Sequence, residues 1–168
     1  MDTLYQEVHG RYVDRGVLSE VFVQDVMTKE VVSILKYAGV NHAVMSLSEN
    51  SVSGLPVVDR ENRVIGIISE ADILSMVGVG RSHTFRDILK HMLGEPLPER
   101  KMGDLVGDVM TSPAVTISPG ATMSEAARVM DEKKVKRLPV VDEGGRLLGI
   151  ISRADIVRVV SGNMKATR

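Results

Sequence analysis

The sequence predicts an α/β protein of the α+β type, in which one β-α-β-β-α unit is used twice. Three observations predict it. Shifted by 83 residues, the chain falls on itself without a gap from Val23 to Leu74, and 24 of those 52 positions are identical. Within each copy, short apolar runs bounded by Gly, Pro or polar residues read as strands, and the segments between them carry helical spacing. The paired runs near the middle of each copy are almost continuously apolar, the pattern of strands buried on both faces. A unit of roughly 50 residues cannot bury such a sheet well alone, so two copies are expected to come together.

Taken in order, residues 1–22 are expected to form a helical extension, because Leu4, Val8 and Val13 follow a loosely helical spacing. Repeat 1 covers 23–74. Its apolar run Val31-Val32-Ser33-Ile34 predicts a first strand. Residues 75–105 connect the repeats, with a helix expected over Thr84–Leu93 and an extended or turned stretch at Gly94-Glu95-Pro96-Leu97-Pro98. Repeat 2 covers 106–157. Val115-Thr116-Ile117 predicts its first strand, which Ser118-Pro119 ends. Thr122 or Ser124 caps a helix running to about Lys133, with Met123, Ala126, Ala127 and Met130 along its apolar face. Strands follow at Leu138–Val141 and Leu147–Ile151, joined through Glu143-Gly144-Gly145 as a hairpin, and a last helix starts after Ser152. Residues 158–168 are a tail.

The bulk composition narrows the function classes. The chain has 168 residues, 43% of them apolar but only 3% aromatic, so Val, Ile, Leu, Ala and Met must fill the interior. A formal net charge of −1 gives no reason to expect nucleic acid or an anionic membrane as a partner. The absence of Cys removes disulfides, thiolate nucleophiles and Cys-ligated metals. His9, His42, His83 and His91 include no i,i+4 pair, so a metal site is not expected. No apolar run approaches the ~20 residues that span a bilayer, and Met1–Gly10 lacks the basic start and apolar stretch of a signal peptide. A cytoplasmic protein is expected. No phosphate-binding lysine loop, nucleophile elbow or paired catalytic acids occur in a recognisable frame, so no enzyme activity is expected. Arg81, His83, Arg86, Lys90 and His91 are read as a solvated helix face diluted by Asp87, Glu95 and Glu99.

The motifs that recur are Asp-Val-Met-Thr (Asp25–Thr28; Asp108–Thr111), Leu-Pro-Val-Val-Asp (Leu55–Asp59; Leu138–Asp142) and Gly-Ile-Ile-Ser-x-Ala-Asp (Gly66–Asp72; Gly149–Asp155). In that order, and twice, they resemble the CBS-domain family, named for cystathionine β-synthase. The resemblance covers Val23 to about Leu74 and Val106 to about Val157. It implies two repeats related by a pseudo-twofold axis, with a cleft between them that binds AMP, ADP, ATP, S-adenosylmethionine or a similar ligand. It also implies homodimerisation, and a role in regulating an effector protein rather than catalysis.

Ser-x-x-Asp at a strand-to-helix junction is by itself a capping box. The resemblance adds a second role, in which Asp72 and Asp155 accept hydrogen bonds from both hydroxyls of a ribose. A carboxylate suits a vicinal diol because it offers two acceptor oxygens. Ser69 and Ser152, with the helix start, then meet a phosphate, and the Gly three residues earlier lets the ligand approach the backbone. Ahead of Leu-Pro-Val-Val-Asp, the second copy has Lys134, Lys136 and Arg137 where the first has Ser51, Ser53 and Gly54. Lys133 and Lys134 read as a solvated helix end. In nucleotide-sensing members of the family, an Arg matching Arg137 faces phosphate, a task for which the guanidinium fork is well shaped.

By the same resemblance, the Asp155 site also takes Thr28, Val52 and Ser53, and the Asp72 site takes Thr111, Val135 and Lys136. The Asp155 site is therefore expected to prefer a phosphorylated ligand. The Asp72 site is expected to be weak, empty or suited to a less charged adenosyl compound. The first copy also lacks the Ser118-Pro119-Gly120 turn, having Leu35-Lys36-Tyr37 instead, and Tyr37 is expected to cover the core edge. A ligand-free dimerisation or docking platform is the alternative to a sensor.

Overall fold

The computed structural model describes residues 16–76 and 105–162, together with the backbone of two strands, β1 (Tyr5–Val8) and β2 (Arg11–Asp14). The connecting helix expected over Thr84–Leu93 and the basic stretch from Arg81 to His91 lie outside the described residues. The helical expectation for residues 1–22 holds only for the four-residue α1 (Val17–Glu20). Ahead of it, β1 and β2 pair antiparallel, with Tyr5 opposite Asp14 and Val8 opposite Arg11. The spacing of Leu4, Val8 and Val13 misled because Tyr5, Val8, Tyr12 and Val13 are β-branched or aromatic and favour extended backbone.

The remaining elements follow as α2 (Val23–Val26), β3 (Ile34–Leu35), α3 (Val40–Glu49), β4 (Gly54–Val58), β5 (Val64–Ser69) and α4 (Glu70–Met76). The second copy contributes α5 (Val106–Val109), α6 (Met123–Glu132), β6 (Arg137–Val141), β7 (Leu147–Ser152) and α7 (Arg153–Val160). The class is mixed α/β, as the sequence predicts. β3, β4 and β5 form one sheet in that order, with β3 parallel to β4, and β6 pairs antiparallel with β7. The strand predicted at Val115–Ile117 is reduced to one parallel bridge between Ile117 and Val140. Ile117 donates to the Pro139 carbonyl and accepts from the Val141 amide, both at 3.0 Å. The ladder stops there, since Pro119 has no amide hydrogen to continue it.

Matching positions take matching backbone. Ser51 and Lys134, 83 residues apart, both have left-handed φ, of 52° and 55°, at the ends of α3 and α6. Asn62 (φ 62°) and Gly145 (φ 79°) do the same in the two hairpin turns. Asn and Gly are residue types that tolerate the left-handed region well. The helix caps differ. Thr122 caps α6: its amide donates to Glu125 Oε2 at 2.7 Å and its hydroxyl accepts from the Glu125 amide at 3.2 Å. The matching residue in the first copy, Gly39, has no side chain with which to cap α3.

The sequence repeats and the packed units do not coincide. One compact unit gathers the chain up to Val31, the turn residues Glu61–Val64 and everything from Ala114; the other holds Val32–Arg60 and Ile65–Pro113. Each copy's leading Val-x-Asp-Val-Met-Thr segment therefore packs with the body of the other copy. Val23 is fully buried in a core with Met123, Met130, Leu138, Ile151 and Val159. Val106 is fully buried with Ala43, Leu47, Leu55, Val57 and Ile68. Full burial of such a side chain is worth about 2 kcal/mol, a pull that favours the exchange in both directions. The turn residues are held by backbone bonds from Val64 to Gly145 and from Leu147 to Asn62, each 3.0 Å.

Candidate functional site

The candidate residues converge where the last hairpin strand of each copy runs into its last helix. In the unit that carries Asp155, β6 and β7 pair so that Arg137 lies directly opposite Ser152. Cross-strand partners share a face of the sheet, so the expected phosphate ligand stands beside the expected cap. Lys136 is exposed, and its carbonyl accepts from the Arg153 amide at 3.1 Å, which ties the start of β6 to the start of α7. Val135 is half-buried and donates to the Met130 carbonyl.

Ser152 and Asp155 form the capping box that the motif predicts. The Ser152 amide and hydroxyl both donate to Asp155 Oδ2 at 2.7 Å. A hydroxyl has one hydrogen to give, and in this arrangement Ser152 uses it to orient the carboxylate. The other oxygen, Oδ1, accepts from Arg158 Nη2. Asp155 is buried, at 6% exposure, while the Arg158 side chain is 49% exposed. Burying a carboxylate is costly unless it is hydrogen-bonded and paired, and here both conditions are met.

The unit that carries Asp72 repeats the arrangement with different partners. The Ser69 amide donates to Asp72 Oδ2 at 2.8 Å and its hydroxyl at 2.6 Å. Asp72 Oδ1 accepts from the Thr111 hydroxyl at 3.1 Å. Ser53 is exposed, its carbonyl accepting from the Glu70 amide at 3.2 Å, and Val52 is half-buried. The cap and the acceptor roles are thus divided between the carboxylate's two oxygens. In both copies Oδ2 holds the backbone and Oδ1 faces a second side chain, Arg158 on the same helix for Asp155 and Thr111 for Asp72.

The Thr of each Asp-Val-Met-Thr segment is placed by the hairpin. Thr28 exchanges two 3.0 Å backbone bonds with Ile150, and Thr111 exchanges bonds of 2.8 and 3.0 Å with Ile67. This explains Gly149 and Gly66 differently from the sequence reading. A Cβ on Gly149 would lie 2.5 Å from Met27 Sδ and 2.9 Å from the Thr28 carbonyl oxygen. On Gly66 it would lie 2.6 Å from Met110 Sδ and 2.9 Å from the Thr111 carbonyl oxygen. The close approach the glycines permit is that of the chain's own Met-Thr segment.

The structure groups Thr28, Val135, Lys136, Arg137, Ser152 and Asp155 in one unit, and Val52, Ser53, Ser69, Asp72 and Thr111 in the other. Tyr37 does not cover the core edge. It is 63% exposed, with Lys36 Nζ 4.6 Å from its ring centroid. Sequence reasoning missed Arg158. The 83-residue shift that set Arg137 against Gly54 also sets Arg158 against Ser75, and the i,i+3 spacing from Asp155 puts both on one helix face. Among the described residues, no group of three or more His, Cys, Asp or Glu is placed to hold a metal ion, and no helix is long and apolar enough to cross a membrane.

Comparison with known proteins bears on both copies. The CBS domain family profile matches residues 23–79 and 106–162. The chloroplastic CBS domain-containing protein CBSX1 of Arabidopsis thaliana is 34% identical over 134 residues, which is 71% of this chain and 54% of that one. The chain thus spans about half the length of that relative. An uncharacterized Methanocaldococcus jannaschii protein, MJ1426, is 30% identical over 83% of this chain and 91% of its own. Among solved structures, Arabidopsis CBSX2 in complex with AMP matches with a TM-score of 0.65 and 31% identity, over 82% of this chain and 94% of that one. With two matched domains and the Gly-Ile-Ile-Ser-x-Ala-Asp junction built twice, the chain belongs to the CBS-domain family.

Proposed function

We propose that the protein is a regulatory sensor that binds an adenine nucleotide or a related adenosyl ligand. AMP, ADP and ATP are the leading candidates, with S-adenosylmethionine as the less anionic one. The observation that carries the reading is the division of labour at each aspartate. Oδ2 is fixed by the Ser-x-x-Asp cap, and Oδ1 accepts from an exchangeable side-chain donor. A carboxylate oriented in this way suits a ribose diol. In the Asp155 copy, Arg137 stands opposite Ser152, where a guanidinium serves a phosphate. That a 31% identical relative is solved in complex with AMP supports the reading.

The proposal extends to the output. A bound ligand would act by shifting a conformational or assembly equilibrium that an effector protein reads. A homodimer in the cytoplasm is part of this reading. The plant relative is named chloroplastic, so fractionation of the native host tests the location.

Isothermal titration with AMP, ADP, ATP and S-adenosylmethionine, beside an Asp155→Ala control, tests the binding claim. Saturable binding to at least one compound, lost in the control, is the expected result. Binding to none of the four would overturn the sensor and leave the dimerisation or docking platform.

A further inference from the structure

Resting on that reading, we infer that Arg158 sets the charge preference of the Asp155 site, favouring ligands with an anionic group over neutral adenosyl compounds. Asp155 Oδ2 already accepts from both the amide and the hydroxyl of Ser152. A ribose diol must therefore share or take Oδ1, the oxygen to which Arg158 donates. The two partners compete for one atom.

The outcome of that competition depends on what the ligand offers in exchange. Asp155 is buried, so removing its ion-pair partner leaves a charge in a poor dielectric. A neutral nucleoside replaces the hydrogen bond but not the positive charge. A phosphorylated ligand draws Arg158 into a new ion pair. The side chain is half in solvent, so it can swing from the carboxylate to a neighbouring phosphate. The exchange then preserves one charge pair on each side.

The other copy is the built-in contrast. Asp72 Oδ1 accepts from the Thr111 hydroxyl, a neutral donor, and Ser75 stands where Arg158 does in the shifted alignment. Among the described residues, the partner of Asp72 Oδ1 there carries no charge. The surrounding positions lean the same way: Arg137 and Arg153 in the second copy match Gly54 and Glu70 in the first.

The test compares adenosine with AMP, by titration calorimetry on the full chain, in both the wild-type and the Asp72→Ala background. Arg158→Gln keeps the length and stem of the side chain and removes its charge, and Arg158→Lys keeps the charge. Arg158→Gln is expected to weaken AMP and to leave adenosine unchanged or tighter, narrowing the ratio of their Kd values by about tenfold or more, the usual scale for a charged hydrogen bond. Arg158→Lys is expected to keep most of the ratio. If Arg158→Gln leaves the ratio unchanged, or moves both ligands by the same factor, the inference is overturned while the sensor reading stands. If the wild-type protein binds neither ligand nor any other adenosyl compound, both fall together.

Discussion

The two packed units share a scaffold and differ in charge. Each has a buried Val and an exchanged Met-Thr segment laid against its hairpin, a Gly that admits the segment, and a Ser-x-x-Asp cap at the start of its last helix. Around that common frame, the second copy holds its aspartate with Arg158 and the first with Thr111. The positions that shape the backbone therefore stayed alike, Thr28 and Thr111 among them, while Arg158 stands where the first copy has Ser75. The difference teaches that the capping box is built alike in both copies, and that the copies part at the side chain that donates to Oδ1.

The largest effect expected from disturbing the shared frame comes at its glycines. Gly149→Ala and Gly66→Ala each force a Cβ into a backbone carbonyl at 2.9 Å and a Met sulfur that can move only in part. Each substitution is expected to lower stability by about 1–3 kcal/mol, read as a drop in the urea midpoint. Similar losses at both positions would sharpen the comparison. A large loss at one and none at the other would break it, because the two Met-Thr contacts would then not be equivalent.

A smaller effect separates the copies by pH. The Thr122 amide and hydroxyl hold the Glu125 carboxyl below its ordinary range, with Arg128 helping weakly. A carboxylate whose folded pKa is depressed contributes stability that is present above its unfolded pKa and is lost as pH falls through the folded value. Glu125→Gln should therefore remove part of the stability near neutrality and flatten the acid limb of thermal melts, since the glutamine does not titrate. His42 occupies the matching place in the first copy, where Gly39 has no side chain to form such a cap. An unaltered acid limb in Glu125→Gln would show that the cap contributes nothing measurable.

Much of this was legible in the sequence because the strongest signals were local. The second copy's hairpin followed from apolar runs on either side of Glu143-Gly144-Gly145, and the start of α6 from Thr122 or Ser124 as its cap. The first strand of each copy was only partly legible, because a one- or two-residue pairing carries almost no periodicity. The exchange of leading segments was not legible. Val23–Thr28 is a short apolar run whose partner, Ile150, lies far along the chain, and nothing within a repeat says which body it joins. The hairpin at Tyr5–Asp14 was missed because three apolar residues at near-helical spacing outweighed the β-propensity of the residues among them. Arg158 was overlooked for a different reason. An Arg three residues after an Asp on a helix is ordinary surface chemistry, and only the buried state of Asp155 gives the pair its meaning.

The most direct test of the central claim, that one scaffold carries two sites of different charge preference, is AMP affinity measured side by side in Asp155→Ala and Asp72→Ala. The account predicts that Asp155→Ala weakens AMP by at least about tenfold while Asp72→Ala changes it little. Equal losses in the two variants would contradict it.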